Sequence, residues 1–283
     1  MDLELSPPYE VGPAMAILAS CAVPGVEITD PVAATHTRLL TVPGSAPVEV
    51  TVRLSDDHVS VLHRAVDADL GSAILSKVRH WLDLDVDPMA VKAALGDDPV
   101  IGGLVSARPG LRVIRYPDGF EAAVMTVLGQ QVSVAAARTF GGRTVVAYGT
   151  DVPGSDLRAF PTPVSLAAAT PVELQSAIGI THARARTVHA LATACRDHLT
   201  IDPAADRLPL LRELLALPGI GPWTTEYLAV RALGDRNAFP AGDLVLQRAL
   251  GVRTAAQARA TAIDWTPYRA YALFHLWSAV LGI

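Results

Sequence analysis

The residues best suited to chemistry here are an aspartate that opens a helix, three aromatic side chains and a pair of glycines. Asp243 ends the loop Asn237-Ala238-Phe239-Pro240-Ala241-Gly242 and precedes the apolar run Leu244-Val245-Leu246. A carboxylate at a helix start is favoured by the helix dipole and suits a positive charge developing in front of it. An ordinary N-cap has the same placement, and the two roles are compatible. Trp223 and Tyr227 are four residues apart and share a helix face, while Trp277 lies in the last helical run. Their π faces suit stacking of a flat ring, and core packing is the alternative for each. Gly219 and Gly221 flank Ile220 in Leu217-Pro218-Gly219-Ile220-Gly221-Pro222. Two glycines allow a tight turn and a close backbone approach to an anion, so a bulkier residue at 221 is expected to cost both space and a favourable φ. The helix that follows offers free N–H groups and the positive end of its dipole, which makes the turn a phosphate seat.

The elements that must position these groups are legible on both sides. An apolar helix runs into the turn from residue 214, and another leaves it through Thr224, Tyr227 and Val230. Asp243 follows Trp223 by twenty positions. Upstream, from 88 onward, the pattern is almost wholly helical. Asp118 and Glu121 read as a capping box that opens a long helix, and residues 129–134, containing Gln130 and Gln131, interrupt it. Thr170 and Glu173 repeat the capping signature, 182–198 is an amphipathic helix with Arg184 and Arg186 near its start, and Thr266-Pro267 reads as the cap of the last helix. Residues 6–84 differ: a short helix at 11–19, three extended segments at 35–42, 48–54 and 59–63, and a helix at 70–82. The expected organisation is an α+β domain at 1–85, a helical domain at 86–207, and a helical region at 208–283 that packs with part of 86–207.

Half of the 283 residues are hydrophobic, and 21 Gly and 21 Pro spread turns through the chain, which excludes a disordered or low-complexity protein. The start, Met1-Asp2-Leu3-Glu4, lacks the basic character of a secretory signal and no apolar run approaches membrane length, so a cytoplasmic protein with no membrane association is expected. Two cysteines, Cys21 and Cys195, cannot supply a four-cysteine iron–sulfur cluster, and no spacing among the eight His demands a metal. A net charge of −5 argues against DNA binding through a diffuse basic face, leaving a few backbone contacts and local Arg residues.

The Leu-Pro-Gly-Ile-Gly-x-Trp-Thr hairpin at 217–224, the aromatic at Tyr227 and the Asp243 loop resemble the helix–hairpin–helix DNA glycosylases, most closely the AlkA-type subfamily, DNA-3-methyladenine glycosylase II. The likeness covers nearly the whole chain. It implies an α+β amino-terminal domain followed by an all-α helix–hairpin–helix core of two helical subdomains. It implies a monomer acting on duplex DNA with damaged bases and removing alkylated ones, with Asp243 catalytic and Trp223, Tyr227 and Trp277 forming a slot for the extruded base. Gly219, Gly221 and Thr224 then hold the DNA backbone, and the Gly129-Gln130-Gln131-Val132-Ser133 segment carries a wedge at Gln131, where relatives often have an apolar residue. The main-chain carbonyls of Leu215, Leu217 and Ile220 correspond to ligands of a monovalent cation. Trp223 stands where strand-cutting relatives carry a Schiff-base Lys, which implies hydrolysis without lyase activity. A glycosylase for oxidised or mismatched bases, and a non-catalytic DNA-binding module using the same hairpin, are the alternatives.

Overall fold

The structure, a computed structural model, describes residues 1–282. The chain opens with β1 (Asp2–Glu4) and α1 (Val11–Cys21), then forms β2 (Glu27–Asp30), β3 (Thr35–Leu40), β4 (Val48–Leu54) and β5 (His58–His63). These five strands make one antiparallel sheet in the order β1-β5-β4-β3-β2. β4 sets the register, because Val48, Val50, Val52 and Leu54 are buried while Glu49 and Arg53 face outward. A one-residue slip would turn that apolar row to solvent. Periodicity identifies three of the five strands. The other two are short, and β2 reads Glu-Ile-Thr-Asp with no buried residue, so neither carries an apolar alternation.

Helices follow: α2 (Ala68–Leu82), α3 (Pro88–Leu95), α4 (Gly102–Ala107), α5 (Gly119–Gly129) and α6 (Val134–Tyr148). A two-stranded ribbon, β6 (Thr150–Asp151) with β7 (Arg158–Ala159), interrupts them. Then come α7 (Pro163–Ala168), α8 (Pro171–Ile178), α9 (His182–Asp197), α10 (Arg207–Ala216), α11 (Pro222–Arg231), α12 (Leu244–Ala249), α13 (Ala255–Thr261), a 3-10 turn at Ile263–Trp265 and α14 (Arg269–Leu281). Among the described residues no helix is long and apolar enough to cross a membrane.

The caps sort into those the sequence specifies and those that tertiary partners redirect. Thr170 and Glu173 form the full reciprocal box expected of them. Asp118 caps α5 by accepting from the Glu121 N–H at 2.8 Å. The Glu121 carboxylate, however, does not return to the cap. It turns inward to Arg38, whose other partner is Glu27. Thr266 caps nothing, since α14 starts at Arg269 behind Tyr268 without a side-chain cap.

Two large apolar cores run through the molecule, with a small third cluster of Leu39, Leu157 and Ala159 where β3 meets the ribbon. One joins the sheet, α1 and α2 to residues of α3, α4, α11, α12 and α14; the other is built from α5, α6 and α7 to α11. The boundary expected at residue 85 therefore does not divide the packing, because Val91, Leu95, Ile101 and Val105 share the core of the sheet. α11 is the seam: Leu228 belongs to one core, Ala229 and Val230 to the other. Asp83 ties the same parts together in the interior, accepting from Arg115 Nη2 at 2.6 Å and from the Tyr271 hydroxyl at 2.8 Å. The helix that carries Trp223 and Tyr227 is thus held from both sides.

Buried titratable groups give the fold a pH signature. Burial pushes the Glu121 carboxyl up to about 7 despite the adjacent Arg38. It pushes His36 down to about 3 and His275 down to about 4. Between about pH 5 and 6 the unfolded chain binds protons at both histidines that the native state does not, while the native state keeps one at Glu121 that the unfolded chain has released. His80, which burial also holds down, adds to the histidine side. The difference is therefore at least about one proton, and stability is expected to fall by roughly 1.4 kcal/mol or more per unit as pH drops through this range. Above the ordinary histidine range only Glu121 remains, and its contribution falls away as pH rises through about 7. Glu121→Gln is expected to steepen the acid limb by about one further proton's worth and to flatten the profile above pH 6.5. Urea unfolding between pH 4.5 and 8 measures both limbs, and a variant profile parallel to the wild type rules this assignment out.

Candidate active site

α10 enters the site capped by Asp206, with Leu210 and Leu214 buried on one side. It ends at a turn closed by the Leu217 N–H to the Leu214 carbonyl at 3.1 Å and the Ile220 N–H to the Leu217 carbonyl at 3.2 Å. Ile220 is buried and pins the turn to the core. Gly219 has φ +81°, and a Cβ there would lie 2.1 Å from Thr187 Oγ1. Gly221 differs from expectation: its φ is −110°, which any residue adopts, and a Cβ would meet nothing within 4 Å. Glycine is required by geometry at 219, whereas at 221 it leaves open space in front of α11. No side chain caps α11, and Pro222 occupies its first turn, so the N–H groups there have no side-chain acceptor.

Thr224 is buried at 2% exposure, and its hydroxyl accepts from Gln130 Nε2 at 3.1 Å. It therefore faces the interior rather than the outer side of the hairpin. Gln130, which sequence reasoning passed over, also donates to the Gly219 carbonyl at 3.0 Å. Arg184 of α9 donates to the Gln130 carbonyl. The neighbouring Gln131 is exposed, in the left-handed region at φ +56°, at the break between α5 and α6. A non-glycine residue held there is strained and marks a constrained loop. A depression of about 390 Å³ separates this loop from the hairpin, lined by Gln131, Arg184, Arg186, Pro218 and Gly219. The only signal in the sequence was the Gln130-Gln131 doublet at a helix break.

Asp243 is 9% exposed and caps α12, its Oδ1 accepting from the Leu246 N–H at 2.8 Å. Two indoles complete its shell: Trp277 Nε1 donates to Oδ1 at 3.1 Å and Trp223 Nε1 to Oδ2 at 3.0 Å. The loop before it is fixed by the Phe239 N–H to Glu226 Oε2 at 3.0 Å. Three donors from three helices hold the carboxylate in one orientation. The rings themselves touch: Trp223 stacks on Tyr227 with centroids 5.2 Å apart, and Tyr227 meets Trp277 at 5.9 Å. Such spacings are those of direct aromatic pairs, so the three rings form a wall with no gap between them for a fourth. A larger cleft, of about 660 Å³, lies away from Asp243 between α2, residues 115–120 and residues 199–204.

Behind the wall sits Arg231, also missed from sequence, where it reads as a lone charge ending an apolar helix. It is 5% exposed, and its Nη1 donates to the Tyr227 hydroxyl at 3.2 Å. Among the described residues no group of three His, Cys, Asp or Glu is placed to hold a metal. A cation beside the hairpin would rest on main-chain oxygens, and of the expected set the Leu217 carbonyl already accepts the Ile220 N–H.

A glycine hairpin between two helices, with an indole-clamped aspartate opening a helix behind it, defines the helix–hairpin–helix glycosylase class. Residues 1–118 match the AlkA N-terminal domain, and residues 124–263 match the HhH-GPD superfamily base excision DNA repair protein. The chain is 35% identical over 97% of its length to DNA-3-methyladenine glycosylase 2 of Escherichia coli K12, covering 95% of that protein. It is 40% identical to the probable bifunctional transcriptional activator/DNA repair enzyme AlkA of Mycobacterium tuberculosis, where 99% of this chain spans 57% of that protein. In fold it is similar to 3-methyladenine DNA-glycosylase from Archaeoglobus fulgidus, with a TM-score of 0.87, 21% identity and coverage of 99% and 98% of the two chains. This chain belongs to the AlkA family of helix–hairpin–helix base-excision DNA repair proteins.

Proposed function

We propose that this chain is a monofunctional DNA glycosylase that hydrolyses the N-glycosidic bond of alkylated bases, of the 3-methyladenine and 7-methylguanine type, in duplex DNA. The observation that carries the reading is Asp243, a carboxylate fixed by two indole N–H groups and a helix N-terminus beside an aromatic wall. Fixed charge in a water-poor site stabilises a developing cation without reorganisation at the moment of reaction. The extruded base stacks against Trp223, Tyr227 and Trp277. As the C1′–N bond breaks, its electron pair leaves with the base, Asp243 faces the positive charge at C1′, and water adds to C1′ and releases a proton. A base alkylated at a ring nitrogen is cationic and departs as a neutral molecule, so the wall needs little shape selection.

The hairpin N–H groups at Gly219 and Gly221 hold a backbone phosphate, with the α11 dipole behind them. Thr224 contributes from the inside, by fixing Gln130. Gln131 fills the space the flipped nucleotide leaves. The carbonyls of Leu215, Leu217 and Ile220, beside the negative end of α10, are the groups that would hold a monovalent cation, which would supply positive charge next to the phosphate seat.

Incubation with a methylated duplex, followed by assay of released base, tests the reading. Release of 3-methyladenine or 7-methylguanine is expected, with strand breaks appearing only after alkali treatment. No covalent adduct is expected on borohydride trapping, because Trp223 offers no amine. An adduct would assign the chemistry to another side chain, binding without release would favour a DNA-binding module, and release confined to oxidised bases would move the substrate class.

A further inference from the structure

We infer that Gln130 is a positioning residue: its side-chain amide ties the loop that carries Gln131 to the hairpin, so that seating a phosphate sets the wedge. The inference rests on the proposals that bases are excised at Asp243 and that Gln131 fills the space of the extruded nucleotide. The loop at 129–133 has little to hold it from within. Its own main-chain bonds are the Gln130 N–H to the Val127 carbonyl at 3.3 Å and the Val132 N–H to the Gly129 carbonyl at 3.4 Å. Both lie beyond the usual range of about 2.7–3.2 Å. What fixes the loop comes from outside it. Gln130 Nε2 donates to the Gly219 carbonyl at 3.0 Å and to the Thr224 hydroxyl at 3.1 Å. A carbonyl only accepts, so the amide must present its NH2 group to the hairpin. Thr224 is buried in the first turn of α11, and its hydroxyl has no other hydrogen-bond partner among the described residues. From the other side Arg184 donates to the Gln130 carbonyl while its guanidinium lies 5.8 Å from the Phe140 ring of α6. One side chain thus joins two functional elements that are 89 positions apart in the chain.

The link leaves the phosphate seat free. Phosphate takes the N–H groups of the turn, whereas Gln130 takes a carbonyl and an inward hydroxyl, so the two do not compete. A phosphate drawn onto the hairpin and a wedge pushed into the duplex then act on the DNA as one rigid piece. Without the link the hairpin still seats its phosphate, but the loop at 131 yields when the duplex pushes back. Extrusion suffers, and extrusion costs most where the base is paired and stacked. It precedes bond cleavage, so a smaller extruded fraction lowers the saturating rate of release in proportion.

The test compares two duplexes carrying 7-methylguanine, one with cytosine opposite and one with a tetrahydrofuran abasic analogue opposite. Gln130→Leu is expected to lower the saturating single-turnover rate about tenfold on the paired duplex, the worth of the lost hydrogen bonds. Opposite the abasic analogue no pair has to be broken, and the rate is expected to stay within about threefold of wild type. Affinity for an undamaged duplex, read by fluorescence anisotropy, is expected to change less than about threefold, because the phosphate contacts are kept. Thr224→Val removes one of the two acceptors and is expected to cost about threefold on the paired duplex. Both changes act through one link, so the double variant is expected to match Gln130→Leu within about twofold. Thermal midpoints check the fold, and Gln130→Ala carries the same expectations if the Leu variant does not fold. Equal losses on the two duplexes overturn the inference, as do additive losses in the double variant or a fall in affinity as large as the fall in rate. Each of these leaves the glycosylase reading standing. A wild type that releases no base from either duplex overturns both.

Discussion

Asp243→Asn is expected to slow base release from a methylated duplex at least a hundredfold and to lower the thermal midpoint by several degrees. The kinetic loss follows from removing the fixed anion that faces C1′; the loss of one well-aimed group of this kind costs about 10²–10³ in rate. The stability loss follows from the clamp. Both carboxylate oxygens accept from N–H donors, Oδ1 from Leu246 and Trp277, Oδ2 from Trp223. An amide offers one oxygen and one NH2 group, so whichever way it turns, one oxygen position becomes a donor facing a donor. A buried donor left without its acceptor costs about 1–3 kcal/mol, or several degrees in a chain of this size. Single-turnover release and thermal melting measure the two effects separately. Release near the wild-type rate removes Asp243 from the mechanism, and lost release at an unchanged midpoint contradicts the double indole clamp.

The hairpin gives the second large effect, and at Gly221 affinity is expected to separate from stability. Gly221 has an extended backbone and open space where a Cβ would stand. Gly221→Asp is therefore expected to leave the thermal midpoint within about 2 °C of wild type. Its carboxylate sits against the phosphate and weakens binding to damaged and undamaged duplex alike, by about a hundredfold, because phosphate contacts carry no lesion information. Gly219→Ala is expected to lower the thermal midpoint and, by straining the turn that seats the phosphate, to weaken binding as well. It forces an L residue to φ +81° and drives its Cβ into Thr187, at about 1–3 kcal/mol of strain. With a net charge of −5, the salt dependence of wild-type binding is expected to be shallow, since few counterions are displaced. Titrations across a salt series for wild type and Gly221→Asp decide the matter. A steep wild-type slope with near-normal mutant binding would place the DNA on another face.

Much of this is legible in the amino-acid sequence, and the features that are not share a cause. β4 declared itself through Val48, Val50, Val52 and Leu54 because one face is buried and the other is not. β2 did not, because it lies at the sheet edge with no buried residue and is held by pairing to β3. Glu121 reads as the second half of a capping box since only its neighbours are visible in sequence. Its actual partner, Arg38, is 83 positions away. The hairpin glycines were found by type, but their division of labour depends on Thr187, which a local reading does not bring near. Asp243, Trp223 and Trp277 were nameable singly. That both indoles would donate to the one carboxylate required α11, α12 and α14 to converge, and only the packed cores show it.

The way those cores are threaded bears on how the chain is made. The sheet and α2 close their core against Ala229, Val230, Leu246 and the residues of α14, so the first third of the chain is completed by the last. More than a hundred residues are synthesised in between, and these build a core of their own. At about 5–20 residues per second, the amino-terminal sheet emerges from the ribosome and waits for many seconds with an apolar face uncovered. Over that interval the nascent protein is most exposed to misassociation. The partners that end the wait, α11, α12 and α14, are also the helices that carry the aromatic wall and Asp243, so a chain whose first core is still incomplete has no assembled site.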